Sequence, residues 1–297
     1  NHVSGAEMDV AVGTSVYTQF LNVNGGIEAD VTVTRLAPQQ FLVVTGHPSQ
    51  IRDQALILAH AKPEWRFEIF DATSAYGLLT IHGPKSRAIL QAMSGDDLSN
   101  ATFHFGAARE IDLGHARVWA IRRSFLGELG YELLLPTEFS AHVYEGLMAV
   151  GKPLGLHLAG MFALGACRLE KAFRHFGHDI GEEDTPYETG LGFAVKLDKP
   201  DFVGKAALLA KPQRHQFLGL VLRDRGVLRA HQRVISRHGD GEITSGSFSP
   251  TMQQAIALAR LPLAVAIGDS VEVAIRDKLL AARVVKPCFV RNGNILV

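Results

Sequence analysis

Apolar and polar positions alternate with a period of two along much of the chain, and three stretches break that rhythm with helical spacing. "VYTQFLN" and "VTVTRL", residues 16–22 and 31–36, read as two strands joined through a Gly-Gly turn. "QFLVVTG", "YGLLTIHG", "HARVWAIRRS" and "GYELLLP" predict four more strands. "SQIRDQALILAHA", "PKSRAILQAM" and "TEFSAHVYEGLMAVG" carry apolar residues at helical spacing. The last of these has Thr137 placed as an N-cap and Gly151 as a C-cap. A further helix is expected to run through Phe173 and to break at Gly177. This mixture is α+β or α/β in character.

From Gln216 the texture changes to short strands punctuated by Gly and charged turns, such as "FLGLVLRD", "RVISRHGDGEITSG", "SVEVAIRDKLLAARVV" and "CFVRNG". That predicts a C-terminal β-barrel or sandwich. The polar, Pro-containing stretch "AKPQRHQ" marks the boundary, giving an α+β region over 1–210 and a barrel over 211–297.

Composition narrows the classes. The 297 residues are 47% hydrophobic, mean hydropathy is near zero and no run of eighteen apolar residues occurs, so a soluble globular protein is expected and no membrane partner. Lys plus Arg and Asp plus Glu are balanced at 30 each, without like-charge blocks, which argues against a nucleic-acid partner. Cys167 and Cys288 lie far apart without Cys-x-x-Cys spacing, as expected of structural thiols in a reducing, cytoplasmic setting.

Four stretches carry chemistry. "NGGIEADVTV", residues 24–33, leads from a Gly-Gly turn into a strand, not into the helix that a phosphate-cradling loop requires. Asp30 therefore stands at a strand entrance, either working there or bonding its own turn. In "RRSFLGELGYELLLP", Glu128 lies inside a turn and Glu132 opens the outgoing strand. The Glu132 carboxylate could accept two parallel N–H bonds from a flat, guanidine-like edge, or pair with Arg122 or Arg123. In "CRLEKAFRHFGHDIGEEDTP", no further ligand group with matching spacing accompanies His175, His178 and Asp179, which argues against zinc, and Arg168 and Glu170 read as an internal salt bridge or helix-face pair, not as catalytic groups. "RDRGVLRAH" places Arg229 after a Gly turn.

Taken together, "LNVNGGIEADVTVTRL", "RRSFLGELGYE", "RLEKAFRHFGHDIGEEDTPYETGLGFAVKLDKPDFVGKAAL" and "GVLRAH…ITSGSFSPTMQQAIALARL…KPCFVRNG" resemble the aminomethyltransferase (glycine cleavage T-protein) family over nearly the whole chain. "GGIEADVTVTRL" and "EKAFRHFGHDI" are similar to the folate-binding module behind the flavin domain of dimethylglycine and sarcosine dehydrogenases. The resemblance implies two ferredoxin-like α+β units and a C-terminal β-barrel, arranged as a ring around a folate channel. It implies tetrahydrofolate-dependent one-carbon transfer, with Asp30 steering the reaction at the folate nitrogens. The pterin would be held by Glu132, with Phe125 seven residues before it, Leu42 and Val44 lining the pocket, Phe193 stacking and Arg229 meeting the folate tail.

Two positions depart from the T-protein pattern: a second acid is Ala29 here, and an Arg four residues before Arg168 is Leu164. The implied donor is a small molecule or a lipoyl carrier protein, with a flavin domain upstream as a further partner. The alternatives are a non-catalytic folate-binding module and a fragment of a flavin-linked demethylating dehydrogenase. Family members carry a substantial segment ahead of the strand matching "SVYTQFLN", so a longer parent chain is expected.

Overall fold

The structure is a computed structural model that describes residues 1–297. By backbone contacts the chain forms two compact units. The barrel unit comprises 1–6, 19–30 and 160–297; the sheet unit comprises 7–18 and 31–159.

Strands β1 (Ser15–Leu21), β2 (Ile27–Ala37) and β3 (Gln40–Val44) form a three-stranded sheet in the order β1-β2-β3, and the first two run from one unit into the other. In the sheet unit, α1 (Gln50–Ala59) precedes β4 (Tyr76–His82), α2 (Ser86–Gln91), β5 (Ala108–Leu113), β6 (Ala116–Ile121), β7 (Gly130–Pro136) and α3 (Ser140–Gly151). The four strands form one antiparallel sheet, ordered β4-β7-β6-β5. Every second residue of β5 and β6 (Ile111, Leu113, Ala116, Val118, Ala120) turns into a core shared with Leu133 and Leu135 of β7 and Val143 and Leu147 of α3. The two periods, 2 for strand and 3.6 for helix, thus meet on one buried layer.

The barrel unit contains α4 (Met161–Glu170), α5 (Lys205–Ala210) and the strands β8 (Gln216–Leu222), β9 (Arg233–Ser236), β10 (Gly239–Ser249), β11 (Gln254–Leu261), β12 (Ser270–Ile275) and β13 (Lys278–Val285). These six close into a barrel in the order β10-β11-β8-β13-β12-β9. Closure leaves no unpaired edge among them. A hairpin of β14 (Val290–Arg291) and β15 (Asn294–Ile295) follows. After Gln216 strand β8 is apolar and buried, because both of its faces are covered. Leu218, Leu220 and Leu222 join one core with Val234, Ile243 and Val273, while Phe217 and Val221 join another with Leu169, Val285 and Phe289. The expected α+β architecture with a C-terminal barrel is therefore present, and residues 211–215 form the irregular link between α5 and β8. No helix is long and apolar enough to cross a membrane.

Local details correct the sequence reading. Thr137 does not cap α3: it opens a 3-10 turn over Thr137–Phe139, its hydroxyl donates to the Ser74 carbonyl, and the helix starts at Ser140. Gly151 is the last residue of α3, and the left-handed residue that ends the segment is Gly155 (φ 86°). Helix α4 stops at Glu170, because Ala172 adopts φ 57° and turns the chain before Phe173. Strands β5 and β11 were not anticipated. Charges at Arg109, Glu110 and Asp112 mask the alternation of β5, and the alanines of β11 read as helix-formers although the strand is buried between β10 and β8.

Candidate active site

In the barrel unit the Gly-Gly turn is closed by Asn22. Its side-chain oxygen accepts from the backbone N–H groups of Asn24 and Gly26, at 3.0 and 2.9 Å, and its carbonyl accepts from Gly25 N–H. The glycines are needed for space and conformation. Gly25 has φ 77°, and a Cβ on Gly26 would sit 1.7 Å from the Glu182 carbonyl oxygen. Immediately after the turn, Ile27 N–H donates to the Asp184 carbonyl at 2.9 Å, which fixes where β2 begins.

From that anchor β2 alternates: Ile27 and Ala29 are fully buried, while Glu28 and Asp30 on the other face are half-buried. Asp30 Oδ1 accepts from Gln19 Nε2 of β1 at 3.2 Å. The bonds that close the turn are thus supplied by Asn22, and the Asp30 carboxylate engages the neighbouring strand. Ala29, where the family pattern has a second acid, faces away from Asp30.

The 171–190 segment that presents Asp184 is held by buried carboxylates. Asp179 accepts from Arg168 Nη1 at 2.5 Å, from Thr244 Oγ1 at 2.5 Å and from His175 N–H at 3.0 Å, and Arg168 Nη2 reaches Ser245 Oγ at 2.7 Å. The expected Arg168–Glu170 pair does not form. Glu170 instead accepts from Ser249 Oγ at 2.5 Å and from both Thr251 N–H and Oγ1 at 3.1 Å. Asp184 Oδ2 accepts from Arg260 Nη2 at 2.7 Å. His175 and His178 stack with ring centroids 4.7 Å apart, and no group of three or more His, Cys, Asp or Glu side chains could hold a metal ion. Phe193 is 70% exposed on a 3-10 turn over Gly192–Ala194. Arg229 is exposed; its backbone N–H is tied to Gln232 Oε1, and the chain at 228–229 lies against Gly246, where a Cβ would come within 2.4 Å of it.

In the sheet unit, Glu132 lies on β7 between Thr80 of β4 and Ile121 of β6. Its carboxylate makes no hydrogen bond and no ion pair within the chain. Burial pushes its pKa above the ordinary carboxylate value, and the Arg123 charge only partly offsets that. Neither arginine forms an ion pair with it: Arg122 Nη1 donates to the Phe103 carbonyl and Arg123 Nη2 to the Ser15 carbonyl, each at 2.7 Å, although the Arg123 charge is felt at Glu132. Burial in turn lowers the pKa of the Arg123 guanidinium, against the opposing pull of Glu132 and Tyr17.

Phe125 is half-buried in the loop between β6 and β7, where Leu126 N–H bonds Ser124 Oγ and Gly127 turns at φ 64°. Leu42 and Val44, opposite Thr34 and Thr32 of β2, pack on the cluster of Ala108, Ile121 and Leu134. Leu42, Val44 and Ile121, the cross-strand neighbour of Glu132, thus belong to one apolar patch.

Residues 1–199 match the model of the GCVT N-terminal domain, and residues 215–291 match that of the glycine cleavage T-protein C-terminal barrel domain. The chain belongs to the glycine cleavage T-protein family. An aminomethyltransferase of Cupriavidus pinatubonensis is 39% identical over 297 aligned residues, covering 96% of this chain and 78% of that protein. The 4-methylaminobutanoate oxidase (formaldehyde-forming) of Paenarthrobacter nicotinovorans is 37% identical over 96% of this chain, which spans 35% of the oxidase. The crystal structure of the glycine cleavage system aminomethyltransferase T from Bartonella henselae matches 99% of this chain and 81% of its own, with a TM-score of 0.86 at 25% identity. Membership of this T-protein family places the chain among the tetrahydrofolate-dependent transferases, as the resemblance implied.

Sequence reasoning overlooked Gln19 and the carboxylates Asp184 and Glu188. The available signal was an amide inside an otherwise apolar strand and an acidic, Gly-containing stretch that carries no periodicity of its own.

Proposed function

We propose that this chain accepts a one-carbon unit onto tetrahydrofolate, with Glu132 anchoring the pterin and Asp30 acting at the reacting nitrogens. The observation that supports the reading is the Glu132 carboxylate itself, partly desolvated on a rigid strand and bonded to no donor of the chain. Such a group is costly unless a ligand supplies the donors. The amino and ring N–H groups along one edge of a pterin are a planar donor pair that a carboxylate accepts in two parallel bonds. Within the sheet unit Leu42 and Val44 offer an apolar wall and Phe125 an aromatic face; within the barrel unit Phe193 offers an aromatic face and Arg229 an exposed cation of the kind an anionic folate tail would take.

Folate, when bound, supplies the nitrogen nucleophile for the carbon. The chain contributes position and charge. Asp30 offers a negative charge that favours a cationic one-carbon species, and a proton acceptor at its carboxylate oxygens. The acid missing at Ala29 leaves this role intact, because that side chain is buried on the opposite face of β2. The carbon arrives from a small methylated amine or from a lipoyl carrier protein, and a flavin domain in the same or a partner polypeptide would generate it in the first case. This reading keeps residues 1–210 as the folate-binding α+β region and 211–297 as the barrel.

Calorimetric titration of tetrahydrofolate into the wild-type protein and Glu132→Gln tests the anchor. Two charge-assisted bonds at about 1.5–3 kcal/mol each predict at least about a tenfold loss of affinity. Unchanged affinity in a folded variant overturns the assignment.

A further inference from the structure

Gln19 is a fully buried amide in β1, flanked by buried Thr18, Phe20 and Leu21. The chain covers it from outside as well: Gly5 N–H donates to the Gln19 carbonyl at 2.9 Å, and Ser4 bridges to Phe20. Burying an amide is unfavourable unless its groups are bonded, so its position has to be explained by what it touches. It touches Asp30, with Nε2 to Oδ1 at 3.2 Å. Because an ionised carboxylate can only accept, the amide must turn its NH2 end toward Asp30.

We propose that Gln19 is a positioning residue for Asp30. This rests on the reading that Asp30 works at the folate nitrogens. The NH2 group holds one carboxylate oxygen against β1 and fixes the side-chain rotamer of the acid. Since Gln19 has no exposed surface, it does this without touching any ligand. Glu28, two residues before Asp30 on the same half-buried face of β2, is the nearest acid along the strand and brings no donor of its own.

The test uses the whole chain and three substitutions, singly and with each Gln19 change also made in the Asp30→Asn background: Gln19→Met, which keeps approximate volume and removes the donor; Gln19→Glu, which keeps shape and replaces the donor with a second acid; and Asp30→Asn. Formation of methylenetetrahydrofolate from formaldehyde is followed at saturating and limiting tetrahydrofolate, and folding is checked by thermal melting. Gln19→Met is expected to lower kcat about tenfold with KM for tetrahydrofolate within twofold, and Gln19→Glu to lower it further. In the Asp30→Asn background, Gln19→Met should cause no additional loss, because it acts only through the carboxylate.

Equal proportional losses in both backgrounds, or a change confined to KM or to melting temperature, overturn the proposal while leaving Asp30 in its role. If Asp30→Asn itself turns over normally, the reading of Asp30 fails and the positioning role falls with it. Should Gln19→Met not fold, Gln19→Glu compared in the two backgrounds decides the same question.

Discussion

Replacing Glu188 with Gln removes the charge from a carboxylate that is fully buried in the barrel unit and surrounded by donors. One oxygen accepts from Thr185 N–H and Oγ1, both at 3.0 Å; the other accepts from Arg214 N–H at 2.8 Å and Nε at 3.1 Å, with His215 Nδ1 3.9 Å away. Burial alone would raise its pKa. The Arg214 side chain, the Thr185 and Arg214 N–H groups and His215 together outweigh burial and bring it down to about 2, from an ordinary 4.5.

A folded value below the unfolded one means that the stabilisation is complete above the unfolded pKa and is lost as pH falls toward the folded one, here between about 4.5 and 2. The whole shift corresponds to about 3.4 kcal/mol at 1.36 kcal/mol per unit. The Arg214 side chain is 47% exposed, so water screens the main partner and about half of that ceiling is the appropriate figure. Gln adds a second difficulty: its NH2 end must face one of two donor pairs. Glu188→Gln should therefore cost about 2 kcal/mol in urea denaturation at pH 7. By pH 3 about three-fifths of the charge-dependent part should have gone, because unfolded glutamates are then protonated and Glu188 in the fold is not. A difference between wild type and variant that stays constant from pH 7 to pH 3 would refute the reasoning.

Asp30→Asn keeps shape but loses charge and basicity, so transfer should slow by about 10²–10⁴ with tetrahydrofolate affinity within a few-fold; near-normal turnover in a steady-state assay would return Asp30 to a structural role. Gly26→Ala places a methyl group 1.7 Å from the Glu182 carbonyl oxygen, a backbone atom that cannot swing away, and should destabilise the barrel unit by at least about 2 kcal/mol in chemical denaturation. Asp179→Ala strands the Arg168 guanidinium in a buried site and frees Thr244 and His175 N–H, at an expected cost of about 3–5 kcal/mol; a variant with the wild-type midpoint would show that water substitutes for the carboxylate.

What could be read from the sequence follows the strength of local signals. The alternation of "VTVTRL" and "GYELLLP" reappears as β2 and β7, because one face of each is more deeply buried than the other. Strand β11 was missed because both of its faces are buried in the barrel, which erases the alternation and leaves only an alanine-rich run. Helix spacing already argued against the Arg168–Glu170 pair, since residues two apart do not face one another. Its replacement by Asp179 required knowing that the chain reverses at Ala172. The choice between ion pair and ligand anchor for Glu132 lay beyond the sequence for a similar reason. Adjacent arginines were visible, but the carbonyls that capture them, Phe103 and Ser15, are brought there only by the fold. Gln19 carried the weakest signal of all, a single amide whose meaning depends on which strand lies beside it.

The barrel unit is built from pieces at opposite ends of the chain, and this bears on how the protein is made. Residues 19–30 leave the ribosome early, yet the carbonyl that fixes the start of β2 belongs to Asp184, whose side chain is held by Arg260 in turn, and Arg260 also clasps the Asp179 carbonyl. The sheet unit is synthesised in between and carries its own core, so it can close first. The strand bearing Asp30 must then wait, with part of its surroundings unsynthesised, until most of the barrel has emerged. Emergence of the strand that carries Arg260, not that of the N-terminal half, sets the earliest moment at which the acid of the proposed reaction can be held in place.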